Sequence, residues 1–158
     1  MQSITPIVQL CADAVQVNGL FGLLRTLNST TVYRFTGIYQ FDGKWVKSVW
    51  LYDREHPNVE FGSDVLWDDS YCRMTSANGD FCEIVDAMAD PRLISHAARR
   101  RVQSYIAVLL HKPDRSAFGT LCHYDVRPHD TPREAVAGLH AVRTVVEQAL
   151  SQELTAPR

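Results

Sequence analysis

Cysteine is scarce in this chain. The four thiols, at positions 11, 72, 82 and 122, have neither the density of a disulfide-stapled secreted domain nor the paired spacing of a metal finger. A surplus of either charge is also missing. Sixteen basic side chains face 18 acidic ones, a net charge of −2, which leaves no electrostatic footprint for DNA or RNA. No apolar run approaches the ~20 residues that cross a bilayer. The first residues lack the basic segment, apolar stretch and small-residue cleavage site of a secretory signal. A glycine-rich phosphate cradle, a nucleophile elbow and convergent metal-ligand spacing are all absent, as are repeats, low-complexity tracts and linkers. These absences set the expectation of a reduced, cytoplasmic protein with no metal, no cofactor, and no nucleic-acid or membrane partner.

What is present is ordinary globular material, 158 residues that are 46% hydrophobic and 22% charged. That length fits one domain burying about 70% of the surface its unfolded chain exposes. The expectation is a single domain over residues 1–158, with terminal helices at about 4–28 and 131–153. The stretch from Ser104 to Asp125 organises the rest. Tyr105 to Leu110 is an unbroken apolar run, the mark of a strand buried on both faces. Pro113-Asp114 then sets a turn. Beyond it Phe118, Thr120, Cys122 and Tyr124 alternate with Gly119, Leu121, His123 and Asp125, a period of two that sends the two sets to opposite faces. Gly119 inside that strand marks a bulge or the close approach of another segment.

Helical spacing of Ile7, Val8, Leu10, Cys11, Ala14 and Val15 gives way at Asn18-Gly19 and resumes through Leu20, Leu23, Leu24 and Leu27, so two helices or one kinked helix open the chain. Val32 to Phe41 and Trp45 to Tyr52 are strands joined at Asp42-Gly43 by a turn that needs positive φ. Asp53 to Ser63, broken by Pro57 and Gly62, is a loop. Asp68 or Asp69 caps a short helix that Asn78-Gly79 closes. Phe81 to Val85 is a strand, and Asp90-Pro91 starts a helix reaching Arg101. Thr131-Pro-Arg-Glu134 reads as a capping box, its hydroxyl and carboxylate exchanging bonds with the first helical amides. The last helix carries Val136, Leu139, Val142 and Val146 on one face and frays from Ser151. Strands with intermittent short helices, and longer helices at both ends, make an α+β layout.

Phe118-Gly-Thr-Leu-Cys122 with Asp125 and Pro128 resembles the strand signature of the GAF family of small-molecule-sensing domains. Asp69-Ser-Tyr-Cys72, Gly79-Asp-Phe81 and Asp86 through Leu93 are similar to that family's middle section in order and spacing. Arg34 to Tyr39 and Leu51 to Glu55 match its first two strands. The resemblance covers roughly Leu20 to Leu150. It implies a GAF/PAS-like antiparallel sheet of about six strands, with the terminal helices on one face and short helices and loops over a ligand cavity on the other. It also implies homodimerisation through the terminal helices.

On that arrangement the aromatic residues Tyr39, Trp50, Tyr52, Trp67, Tyr71, Tyr105 and Tyr124 fall on segments around the cavity, although any one of them serves equally well as core. Arg99 to Arg101 point about 100° apart on a helix and are mostly a solvated face. Arg100, or His96 one turn earlier, is the expected partner of an anionic group. Cys72 matches one cysteine of the free methionine-(R)-sulfoxide reductases, which share the fold, but the equivalent places for its partners hold Gly62 and Ala98. Cys122-His123 resembles a bilin-holding pair, yet on a strand the two residues face opposite sides and cannot act together. Both Cys72 and Cys122 are carried as cavity residues. Asp86 and Asp125 read as structural. The expected protein is a non-catalytic sensor of an unidentified small molecule, whose binding orders the segments around the cavity and which acts in trans on a signalling partner. The rivals are a thiol enzyme and a ligand-free dimerisation module.

Overall fold

The computed structural model describes residues 5–155, so the expected helix start at residue 4 and the ends of the 1–158 domain lie outside the described residues. Helix α1 spans Thr5–Asn28 and α3 Arg133–Thr155. Between them run strands β1 (Phe35–Asp42), β2 (Trp45–Asp53), β3 (Val65–Leu66), β4 (Phe81–Ile84), β5 (Ser104–His111) and β6 (Ala117–Asp125), with the short helix α2 at Cys72–Ala77. Single 3-10 turns lie at Trp67–Asp69, Ala87–Ala89 and Pro91–Leu93. The six strands form one sheet in the order β3-β2-β1-β6-β5-β4, every pair antiparallel. The fold is α+β, as expected, with β6 and β1 at its centre.

Alternation along the central strands splits the interior in two. Ile38, Ile106, Val108, Leu110 and Leu121 turn toward α1 and α3, where they pack with Leu20, Leu23, Leu24, Leu27, Leu139, Val142 and Val146. Burying each of these side chains contributes about 1.5–3 kcal/mol. Tyr39, Tyr105, Ala107 and Cys122 turn the other way, toward Tyr71, Cys72, Cys82, Ile84, Leu93 and Ala98. The helices therefore share one face, and α2 with the 3-10 turns covers the other.

Helix α1 is broken where the sequence implied. Asn18 and Gly19 leave helical geometry, with φ/ψ of −131°/15° and 66°/−161°. By length and composition the Pro6–Asn28 stretch meets the criterion for a bilayer span, contrary to the sequence reading. Here its second half lies in the core through Leu20, Leu23, Leu24 and Leu27. Its C-terminus is capped by Arg54, whose guanidinium donates to the Asn28 carbonyl at 2.9 Å, to Asn28 Oδ1 at 2.8 Å and to the Thr31 carbonyl at 2.7 Å. These bonds satisfy carbonyls that every helix end leaves orphaned.

Several local expectations differ from the structure. The β1–β2 turn is Gly43-Lys44, with Asp42 already paired to Trp45 and Gly43 alone at positive φ. Strand β1 starts three residues later than expected. Neither Asp68 nor Asp69 caps α2: its N-cap is Tyr71, with no side-chain cap, and the Ser70 hydroxyl just before it accepts from the Cys72 amide at 2.9 Å. The capping box at α3 does not form: Thr131 Oγ1 finds no partner, and the Pro132 carbonyl accepts from Ala135 and Val136. At the other end α3 runs on to Thr155 without fraying at Ser151. The expected helix from Asp90 to Arg101 is instead one 3-10 turn followed by irregular turns. Its amides bond three residues back, as in His96 to Leu93 and Arg99 to His96, and His96 Nδ1 takes the Ala98 amide. That competing side-chain acceptor draws off a donor the helix would need.

Candidate functional site

A cavity of about 110 Å³ lies between the β1–β6 face of the sheet and the covering segments 65–72 and 98–102. Its floor is Tyr39, Cys122, Tyr124 and Tyr105. Its roof is Tyr71, Cys72, Ala98 and Val102. The polar tips on these walls are largely paired with one another. The Tyr39 and Tyr124 hydroxyls lie 2.7 Å apart, and Cys72 Sγ lies 3.2 Å from Thr120 Oγ1. Tyr105 reaches Cys72 Sγ at 3.6 Å and Thr75 Oγ1 at 3.3 Å, while Tyr71 donates to the Val102 carbonyl at 2.8 Å. Cys122 donates to the Gly37 carbonyl at 3.7 Å.

The interior carries no charge. Burial raises the Tyr39 and Tyr105 phenols and the Cys122 thiol well above their ordinary values, because a low-dielectric site disfavours the ionised form. Burial likewise raises Tyr71 and Tyr124, and pushes Cys82, just outside the lining, to about 11. The two charged residues of the lining, Asp69 and Arg101, stand at its edge. Asp69 is half-buried and Arg101 exposed, and among the described residues neither side chain makes a hydrogen bond or ion pair.

Of the residues singled out from sequence, the structure brings Tyr39, Tyr71, Cys72, Tyr105, Cys122 and Tyr124 together around this cavity. Trp50 and Tyr52 are not there. They pack on the helix side of the sheet, their rings 6.2 and 5.9 Å from that of Phe21. A register shift between Ile38 and Tyr39 explains it: Ile38 opposes Trp50 whereas Tyr39 opposes Ser48, so Val49 is an extra residue. Such a bulge inverts the alternation, leaving Val46 and Ser48 on the cavity face and Trp50 and Tyr52 on the opposite one. Trp67 packs edge-on against Phe41 at 4.9 Å, beside the cavity. His96 stands behind Tyr71, with ring centroids 4.7 Å apart, and does not reach the lining. Arg100 is exposed and away from it; Arg101 takes the place expected of Arg100 because the segment is not helical. Sequence reasoning also missed Val46, Val65, Ser70 and Val102, and took Asp69 for a helix cap.

His123 lies on the opposite side of β6 from Cys122, as strand alternation implied. Its Nδ1 is 2.6 Å from Thr36 Oγ1, which accepts from Asn28 Nδ2 at 2.8 Å. Its ring stacks on Tyr33 at 5.8 Å. Asp125 accepts from the Arg34 and Arg127 amides and pairs with His129 at 2.8 Å, which bears out its structural reading.

Neither a protein-family model nor a curated protein matches this chain in sequence. Solved structures do match in shape. The GAF domain of an Acinetobacter phosphoenolpyruvate-protein phosphotransferase superposes with a TM-score of 0.75 at 10% identity, over 99% of both chains. The phycoerythrobilin-bound GAF domain of a cyanobacterial phytochrome gives 0.69 at 11% identity, over 96% of this chain and 94% of that one. The fold is that of a GAF domain. A third GAF-like structure, the free methionine-R-sulfoxide reductase of Neisseria meningitidis in complex with its substrate, gives 0.70 at 18% identity over 96% and 89%. A phosphotransferase's GAF domain, a bilin-bound GAF domain and a free-standing enzyme thus share this fold, and the site must decide what the present chain does.

The GAF cavity here is far smaller than the ~300–1,000 Å³ of cofactor-sized pockets, so as shaped it has no room for a linear tetrapyrrole. Gly62, one of the two positions where the reductase resemblance calls for a thiol, lies at the rim of the same region. A Cβ there would come within 2.9 Å of Leu51 Cδ2 and 3.4 Å of the Tyr39 hydroxyl. Ala98, the other, is in the lining. All four cysteines are buried and unbridged. Attack by a thiol needs thiolate and access; burial restricts access at all four cysteines and raises the thiols of Cys11, Cys82 and Cys122. Native protein at pH 8 is therefore expected to react with an aromatic disulfide reagent at well under one thiol per chain over minutes, and with all four after denaturation. Rapid stoichiometric labelling of Cys72 or Cys122 in the folded state would contradict this picture.

Proposed function

We propose that this protein is a non-catalytic sensory GAF domain whose small-molecule ligand occupies the cavity between Tyr39, Tyr124 and the segment 98–102. The observation that carries the reading is the cavity itself: about 110 Å³ of unfilled space, walled by tyrosines and two buried thiols whose polar tips are already paired. A side-chain-filled core has no reason to leave such a space, since close packing is the norm. In this reading the ligand stabilises the covering segments, whose backbone is held by single turns and not by a long helix. The change in their order is then passed to a second protomer or a signalling partner. Coupling of this kind requires the ligand to interact differently with the open and closed arrangements.

Native mass spectrometry of freshly purified full-length protein, combined with melting in a library of metabolites, tests the reading. A retained small mass, or compounds that raise Tm in proportion to the logarithm of their concentration, is the expected result. A chain that always flies at its bare mass and melts at one temperature in every compound would leave only a dimerisation module. One observation favours a second reading: Cys72 and Cys122 both face the cavity. Reduction of free methionine sulfoxide by the protein with a thiol donor, lost in Cys72→Ser, would establish the enzyme and displace the sensor.

A further inference from the structure

The charges at the cavity's edge define which end of a ligand can go inside. At roughly 30 Å³ for a water-sized group, 110 Å³ admits about four non-hydrogen atoms. The walls offer those atoms little hydrogen bonding, because Tyr39 is bonded to Tyr124, Tyr105 to Thr75 and Cys72, and Tyr71 to the Val102 carbonyl. The buried end of the ligand must therefore be apolar and short. Any charged end must stay at the edge, where Arg101 presents a guanidinium with no hydrogen bond or ion pair among the described residues. Its neighbours are otherwise engaged: Arg99 donates to the Ile94 and Met88 carbonyls, and Arg73 pairs with Asp68.

We infer that this site, read as a ligand cavity as above, takes a short-chain aliphatic monocarboxylate, its hydrocarbon tail between Tyr39, Tyr105 and Tyr124 and its carboxylate on Arg101. The planar guanidinium fork matches a carboxylate's two oxygens, which makes arginine the suited anchor for an anion at an otherwise apolar opening. Asp69, also in the lining, repels an anion placed near it and so directs the carboxylate to the arginine side of the opening.

The test is a set of three compounds with the same four-carbon tail, titrated against the full chain and followed by Tm and calorimetry: 3-methylbutanoate, the uncharged 3-methylbutanamide, and 3-methylbutan-1-amine. The acid is expected to bind and to raise Tm, with the amide and the amine at least tenfold weaker. Arg101→Gln should weaken the acid about tenfold or more, as removal of a charge-assisted bond does, while Arg101→Lys restores part and Arg100→Gln changes nothing. Asp69→Asn should tighten it roughly twofold or more by removing a like charge. Equal binding of acid and amide, an unaffected Arg101→Gln, or a weakened Asp69→Asn would overturn the carboxylate assignment while leaving the sensor in place. Failure of all three compounds also overturns the assignment, and the metabolite library then reports separately on the sensor.

Discussion

Gly119→Ala is expected to destabilise the protein by at least about 3 kcal/mol, and to leave little folded material at 37 °C. A Cβ at this position would overlap the carbonyl oxygen of Tyr39 and lie 2.7 Å from its carbonyl carbon and 2.9 Å from Gln40 Cα. These are backbone atoms of β1, and β1 cannot retreat. It is pinned to β6 on one side by the Tyr39–Thr120 and Gln40–Gly119 pairs and to β2 on the other. The same substitution at Gly138, inside α3, supplies the control. There a Cβ meets only Leu27 Cδ1 at 3.6 Å, an ordinary contact, and replacing a helical glycine should stabilise by about 0.5–1 kcal/mol. Urea unfolding of both variants checks the pair. Equal midpoints for Gly119→Ala and the parent would mean that the central strands are not packed as described.

The second large effect is on pH. Burial, with a smaller contribution from the Arg54 charge, lowers His123 to about 3 in the folded state, against about 6.5 when the chain is unfolded. Between those values the unfolded chain binds a proton that the folded chain refuses. Stability is therefore full above pH 6.5 and falls as the pH drops toward 3, at up to about 1.4 kcal/mol per pH unit from this one group. Burial also lowers His96 and His140, which add in the same direction. The paired carboxylates Asp53, Asp90 and Asp125 are lowered as well, but their contribution is lost only nearer pH 4. The window from 6.5 to 4.5 thus belongs to the histidines. Unfolding free energies across it should slope steeply for the parent, and His123→Gln should lose about one proton's worth of that slope, whatever its absolute stability. A parallel slope in the variant would place the His123 proton elsewhere.

Much of this architecture was legible in the sequence because it rests on local rules. The apolar run at 105–110 and the alternation at 118–125 specified the central hairpin and its two faces, while the glycine within it left open a bulge or the close approach of another segment, which the structure identifies as β1. Asn18-Gly19 announced the break in α1. The parts that were not legible depend on choices made in three dimensions. Trp50 and Tyr52 follow the right period, but one extra residue at Val49 turns them to the other face, and no property of Val49 marks it as that residue. Thr131 and Glu134 have the right spacing for a capping box, yet the Pro132 carbonyl takes the first amides. Asp90-Pro91 caps and starts a helical turn as expected, but only the one 3-10 turn Pro91–Leu93 forms in place of a helix to Arg101, and beyond it His96 offers its ring nitrogen to the Ala98 amide. That failure also decided which arginine borders the cavity. On a helix the three would have fanned apart; on irregular turns the last of them reaches the opening.

The partition between the two cores is a single backbone thick along β6. Cys122 and Tyr124 look into the hollow, while His123 between them is tied through Thr36 to Asn28, the last residue of α1. No intervening layer exists to absorb a displacement. A shift of Tyr124 by a few tenths of an ångström is therefore expected to reach the buried imidazole, one peptide unit away, and through Thr36 the end of the first helix. The chemical shifts of the His123 ring should report occupancy of a chamber that this side chain never touches.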